Sequence, residues 1–294
     1  MRFTKMHGAG NDYVYVDAFA HAIHDPAALA RRIADRHTGV GGDGLILAAP
    51  PDPALPGYEA ASARMVMFNI DGSEGAMCGN GIRCVCKLVH DHDLGDRPTA
   101  SPMVIQTASG ARSLAYTLDG RGKVATVTVD MGPPQLAAGD IPVQLDGVGP
   151  ADHVIDHPLG GGASPQDLVT CVSMGNPHVV LWRDDLAAID LPRVGPAMES
   201  HPAFPDRVNA HFVQKLGEDR VRVLHWERGS GPTQACGTGA CAVAVAGALT
   251  GRTGRRVAVE TPGGELGIDW TERGAVLMTG PAVEVFQGDW PDPA

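Results

Sequence analysis

Along the 294 residues the arrangement of apolar and polar positions is that of strands with few helices. Residues 3–19, FTKMHGAGNDYVYVDAF, alternate as a strand, a turn and a second strand. A short helix is expected from Pro26 to His37, with Pro26 suited to its first turn and Asp25 to its cap. GLILA, RMVMFN, PMVIQT, ARSLAYTL and KVATVTVDMG then follow as strands at hairpin-like spacing. The long helical candidate of this half begins just past Cys78, in GNGIRCVCKLVHDHDL. A Pro- and Gly-rich stretch after Gly132 marks the crossing to a second half. There DLVTCVSMG, HVVLWR, AHFVQKL, RVRVLHWE, RRVAVETP and AVLMTG read as strands and DRVNA as a turn. GTGACAVAVAGALTG is an apolar helix closed by Gly251.

The second half repeats the plan of the first. Cys78 and Cys236 lie 158 residues apart, and each follows a Gly-Ser pair by a few residues, Gly72-Ser73 and Gly229-Ser230. Each precedes Gly-x-Gly and then an apolar helix, and Gly10-Asn11 and Gly175-Asn176 keep nearly the same offset. Self-similarity of this kind points to a duplication.

Composition narrows the function classes. The length accommodates one large domain or two medium ones, with no need of a metal or disulfide staple. A net charge of −11 argues against nucleic acid or an acidic membrane as partner. No run of about 18 apolar residues offers a membrane span. The N-terminus turns polar and Gly-rich too early for a signal peptide, so a cytoplasmic address is expected. Six cysteines are too sparse for a disulfide scaffold.

The repeated cysteine is the candidate chemistry. A thiol at the start of a helix faces backbone N–H groups without intrahelical partners and the positive end of the helix dipole. Both favour the thiolate, so a lowered pKa is expected at Cys78 and Cys236. The neighbouring glycines let a ligand approach the same N–H groups, which form an anion cradle. Two thiols on opposite faces of one amino-acid α-carbon would invert it, one removing a proton and the other returning one. The four lysines, Lys5, Lys87, Lys123 and Lys215, stand in no phosphate-binding context, so no pyridoxal phosphate or other cofactor is expected. Cys84, Cys86, Cys171 and Cys241 read as core residues. A Cys78–Cys236 disulfide, a redox thiol protein and a non-catalytic amino-acid-binding module remain alternatives. A zinc site is disfavoured, because Cys78, Cys84 and Cys86 lack Cys-x-x-Cys spacing.

Six blocks, MHGAGNDYV, GVGGDGL, FNIDGSEGAMCGNGIRC, SMGNPHVV, RVNAHFVQ and WERGSGPTQACGTGACA, resemble the diaminopimelate epimerase family in the family's order and over the full length. The resemblance implies cofactor-independent interconversion of LL- and meso-diaminopimelate, in lysine and peptidoglycan precursor synthesis, with Cys78 and Cys236 as the acid/base pair. It implies that Gly79, Asn80, Gly237 and Thr238 cradle the reacting carboxylate. Asn11, Asn69, Asn176, Asn209, Glu227 and Arg228 are implied contacts to the rest of the substrate. Asparagine suits a zwitterion because it both donates and accepts, and Arg228 can fork onto a distal carboxylate. His178, Glu227 and Asp43 are expected in supporting roles, with no metal. Proline- and hydroxyproline-type racemases or dehydratases are the alternative on the same plan, although proline racemases typically carry histidine where Asn80 stands. Two departures bear on affinity. Gly44 stands where many relatives place a cleft glutamine, and Pro232 stands where an acidic residue is usual. The expected fold is of the α/β (α+β) class, two pseudo-symmetric lobes, each an antiparallel sheet wrapped round a central helix. The lobes span 1–131 and 132–278, the segment 279–294 returns to the first, and a homodimer is an expectation.

Overall fold

The computed structural model describes residues 1–160 and 167–291; residues 161–166 of the second expected lobe and 292–294 of the returning segment lie outside them. Two compact units emerge, Met1–Asp130 with Thr279–Ala294, and Met131–Met278.

In the first unit β1 (Arg2–Gly8) and β2 (Asn11–Asp17) form a hairpin. Its turn places Ala9 and Gly10 at φ 54° and 82°, the paired left-handed residues of a tight hairpin. Helix α1 (Pro26–Ile33) carries the chain to β3 (Gly44–Ala49), which lies parallel to β2. β4 (Ala61–Asn69) runs antiparallel to β3 and pairs with the short β5 (Glu74–Gly75). Helix α2 (Gly79–Asp91) leads to β6 (Met103–Thr107), parallel to β4, and β7 (Gly110–Leu118) and β8 (Val124–Asp130) follow as antiparallel neighbours.

The second unit has the same order. After the short β9 (His157–Pro158) come β10 (Leu168–Ser173), β11 (Pro177–Trp182) and helix α3 (Leu191–Glu199). β12 (Asn209–Gly217) lies parallel to β11, and β13 (Arg220–Glu227) and β14 (Gly231–Thr233) follow as antiparallel partners. Helix α4 (Gly237–Leu249) leads to β15 (Arg256–Thr261), parallel to β13, then β16 (Gly264–Trp270) and β17 (Val276–Pro281). The chain then returns to the first unit, where β18 (Val283–Asp289) pairs antiparallel with β1.

The sheets are mixed where antiparallel sheets are expected. Each unit contains two parallel joins, and each join spans a helix, because parallel neighbours need a long crossover. Helix α1 stops at Ile33, short of His37, because the amides of Val40 and Gly41 turn back onto the Ile33 carbonyl. Helix α3 is unexpected. Pro192 sits in its first turn and Pro196 inside it, and Gly195 lets it pack against the Trp226 ring. Of DRVNA, Asp206 lies in a turn and Arg207 is left-handed (φ 57°), while Asn209 and Ala210 enter β12. Helix α4 is buried on nearly all sides, as its composition, free of charged residues and rich in Ala, Val and Gly, requires. Cys84, Cys86, Cys171 and Cys241 are buried.

Candidate functional site

Cys78 is the N-cap of α2, extended at φ −132° and ψ 116°, and its sulfur accepts the Gly81 N–H at 3.3 Å. A Cβ at Gly81 would come within 2.7 Å of the Ile46 side chain and 3.5 Å of that sulfur, so only glycine lets the turn close around the thiol. The thiol donates to Asn11 Oδ1 at 3.3 Å, and Asn11 Nδ2 donates to Asp43 Oδ2 at 2.6 Å. A carboxylate accepts only, so Asp43 fixes which end of the Asn11 amide meets Cys78. Asp43 also accepts the Asp12 amide and pairs with Arg36 at 2.8 Å. Lys5, buried, pairs with Asp12 at 2.5 Å and donates to the Gly41 carbonyl, which binds it into the frame.

Asn69 donates to Ser73 at 2.9 Å and closes the turn ahead of β5. Asn80 is buried in the first turn of α2, and the Gly79 carbonyl accepts from Arg83 at 3.2 Å. Gly44 pairs with Asn69, and a Cβ there would collide with the Phe68 carbonyl. The strand pairing leaves no room for a side chain at this position.

In the second unit Cys236 is the N-cap of α4, 4% exposed, with its sulfur 3.7 Å from Thr238 Oγ1. Gly237 is buried behind it. Burial, and then the charge of Glu227, push the Cys236 thiol well above its ordinary pKa, and the Thr238 hydroxyl and Gly239 amide do not offset them. The expectation of a lowered pKa therefore fails here: taking a thiolate out of water costs more than the end of one helix returns. Glu227, at the end of β13, accepts from Thr233 at 2.5 Å. Arg228 is exposed and donates to the Asp206 carbonyl at 2.9 Å. Asn209 donates to the Pro177 carbonyl at 2.8 Å and accepts the Arg228 amide at 3.0 Å, tying β11 to the turn after β13. Pro232 is exposed opposite Trp226.

Two features escaped the sequence reading. Glu199, at the end of α3, accepts from Trp226 Nε1 at 2.7 Å, the Gly229 amide at 2.9 Å and Arg207 at 3.0 Å, and so anchors the 227–231 turn. The second is a row of buried imidazoles. His178 bonds to Asn176 Oδ1 at 2.9 Å through Nε2 and to His211 Nε2 at 2.8 Å through Nδ1. His211 Nδ1 in turn meets His225 Nδ1 at 2.9 Å. Neither ring nitrogen of His178 bonds to a thiol. The row underlies the first turn of α4, where a Cβ at Gly239 would strike the His211 ring. Burial pushes His178 and His225 down to about 3 and His211 well below its ordinary value. Among the described residues no group of three or more His, Cys, Asp and Glu side chains is arranged to hold a metal ion, and no helix is long and apolar enough to cross a membrane.

The family model for diaminopimelate epimerase matches residues 3–137 and 170–285. A diaminopimelate epimerase of Desulforudis audaxviator is 49% identical over 292 residues, covering 99% of both chains. One from Agathobacter rectalis is 46% identical over 293 residues, covering 98% of this chain and 99% of that one. Among solved structures, a PhzF-family phenazine biosynthesis protein of Bacillus anthracis superposes with a TM-score of 0.66 at 14% identity over 98% of each chain. A hydroxyproline epimerase of Agrobacterium vitis, solved with trans-4-hydroxy-L-proline, superposes at 0.64 with 16% identity, covering 98% of this chain and 90% of that one. At those identities the two structures share the fold.

Proposed function

The chain belongs to the diaminopimelate epimerase family and is an isomerase, and we propose on that premise that it interconverts LL- and meso-diaminopimelate by proton transfer between two thiols and the substrate α-carbon. The observation that carries this reading is the placing of Cys78 and Cys236 at the same cap position of equivalent helices in two copies of one plan. An α-proton is very weakly acidic, so the developing carbanion needs dipoles already aimed at its carboxylate. The first turns of α2 and α4, with Gly79, Asn80, Gly237 and Thr238, supply them.

The reaction needs one thiolate and one thiol. Cys236, buried beside Glu227, is the group that holds its proton. Cys78, whose sulfur already accepts the Gly81 N–H, is the base, and Asn11 Oδ1, held in place by Asp43, receives its S–H once the proton has been taken up. The Cys78 thiolate takes the α-proton, the electron pair passes to the α-carboxylate, and the Cys236 S–H protonates the opposite face. The products are a Cys78 thiol and a Cys236 thiolate, the starting point for the reverse reaction. Asn69, Asn176, Asn209 and Arg228 are the candidate contacts to the distal half of the substrate. The place of the reaction is lysine and peptidoglycan precursor synthesis in the cytoplasm, in keeping with six unbridged cysteines.

The test is turnover in D₂O. Wild-type protein should place solvent deuterium on the inverted α-carbon of diaminopimelate, and Cys78→Ala and Cys236→Ala should each abolish inversion. Near-normal turnover by either variant, or inversion of proline in place of diaminopimelate, would overturn the reading.

A further inference from the structure

The imidazole row is not something the fold requires. In the first unit Ile46 pairs with Met67 as His211 pairs with His225, and Ile46 lies under Gly81 as His211 lies under Gly239. The copy of the plan that carries Cys78 fills this layer without histidine. Burying three imidazoles costs stability unless their nitrogens are bonded, and here all but His225 Nε2 are, across three neighbouring strands with ring centroids 5.0 Å apart at each step.

A neutral imidazole has one N–H and one bare nitrogen, which leaves the row two self-consistent states. In one, His178 Nε2–H donates to Asn176 Oδ1, His211 Nε2–H donates to His178 Nδ1, and His225 Nδ1–H donates to His211 Nδ1. In the other every bond is reversed, and Asn176 must turn its NH₂ group inward as the donor. The far end decides between them. His225 Nε2 is buried with no hydrogen-bond partner among the described residues. The first state leaves a bare lone pair there, and the second leaves an orphaned N–H, the costlier of the two.

We propose that His211 and His225 are positioning residues that act through His178 to lock the Asn176 amide with Oδ1 inward and NH₂ outward, so that position 176 is a donor to a substrate carboxylate. Asn176 is half-buried and its Nδ2 bonds to none of the described residues, so it is available for that contact. The substrate clause rests on the epimerase reading; the polarity of the row does not. Burial keeps all three rings neutral near pH 7, which preserves the one-way chain, since an imidazolium would donate at both ends.

The experiment is long-range ¹⁵N–¹H correlation on full-length protein labelled with [¹⁵N]histidine at pH 7, with signals assigned by single substitutions. His178 and His211 should appear as Nε2–H tautomers and His225 as the Nδ1–H tautomer, the form that free histidine disfavours. The reverse pattern, or an imidazolium at any of the three, overturns the lock. In turnover assays His225→Phe should raise KM for diaminopimelate about tenfold with kcat within about threefold. His225→Gln, whose amide can again donate to His211, should recover most of the loss. A folded His225→Phe variant with unchanged KM also overturns the proposal. The stated tautomers in a protein without epimerase turnover would instead sink the functional reading above and leave the lock standing.

Discussion

Cys78 and Cys236 occupy one cap position in two copies of a plan, yet their surroundings differ. Asn11 Oδ1 and the Gly81 amide flank the first, while burial and a carboxylate surround the second. Helix starts are commonly read as thiolate sites; at Cys236 desolvation decides the matter, with Glu227 adding to it. Replacing Glu227 by Gln removes the charge but keeps the shape, so the thiol should titrate lower, though still above its ordinary value because burial remains. The check is the pH dependence of iodoacetamide modification at Cys236, followed by mass spectrometry on the native protein. Inversion by Glu227→Gln should also slow by about 10² or more, the scale of a mismatched general acid. A modification midpoint that stays in place would remove Glu227 from the control of the proton.

At the scale of elements, most strands and the two cysteine-capped helices were legible because their signals are local, whereas the short β5, β9 and β14 and the C-terminal β16 and β18 were not read as strands. Alternation marks strands such as β2 and β13, and Gly-x-Gly after a thiol marks the start of α2 and α4. Helix α3 was not legible, since Pro196 inside it is a breaker by composition, and its close packing on Trp226 through Gly195 is a tertiary contact. The imidazole row was hidden for another reason. Each histidine sits singly in an apolar strand and looks like an ordinary core residue; His178 and His211 are 33 residues apart, and His211 and His225 are 14 apart. Strand register alone brings them together. The contacts of the site residues divide the same way: Asn11 and Asp43 reach Cys78, whereas Asn69 and Asn209 each hold a turn or a strand end. The value of α3 lies in its last residue. Glu199 holds Trp226, Gly229 and Arg207 at once, and although burial raises its carboxyl, those hydrogen bonds bring it below its ordinary value. Glu199→Gln should loosen the 227–231 turn, raising KM several-fold and lowering stability by about 1–2 kcal/mol. Steady-state kinetics and thermal unfolding test this, and an unchanged KM would show that the turn holds without its anchor.

At the scale of the whole molecule, buried neutral histidines set the acid limit. His178, His211 and His225 all have folded pKa values depressed from 6.5, the first and third to about 3. Between those limits the unfolded chain binds protons that the folded chain refuses, so stability is fully present above pH 6.5 and falls as pH drops below it. Each group contributes up to about 1.4 kcal/mol per pH unit inside that window, or about 4 kcal/mol for the three together. Against a typical domain stability of about 5–15 kcal/mol, unfolding should set in near pH 5. Carboxylates held low, such as Asp12 between Lys5 and Arg36 and Asp91 beside Lys87, act in the same direction. Their contribution is lost only below pH 4, because it starts from an ordinary carboxylate value, so the onset of the loss separates the two causes. The imidazoles belong to the second unit, as do Trp182, Trp226 and Trp270, three of the four tryptophans. Urea unfolding followed by tryptophan fluorescence therefore reports on the unit concerned. The midpoint should be level above pH 7 and fall steeply from pH 6.5 to 5, and His225→Gln should lessen that slope by about a third, one titrating group of three. A midpoint that stays level down to pH 5 would mean that the row accepts protons in the folded state, and the one-way chain through His211 would be lost with it.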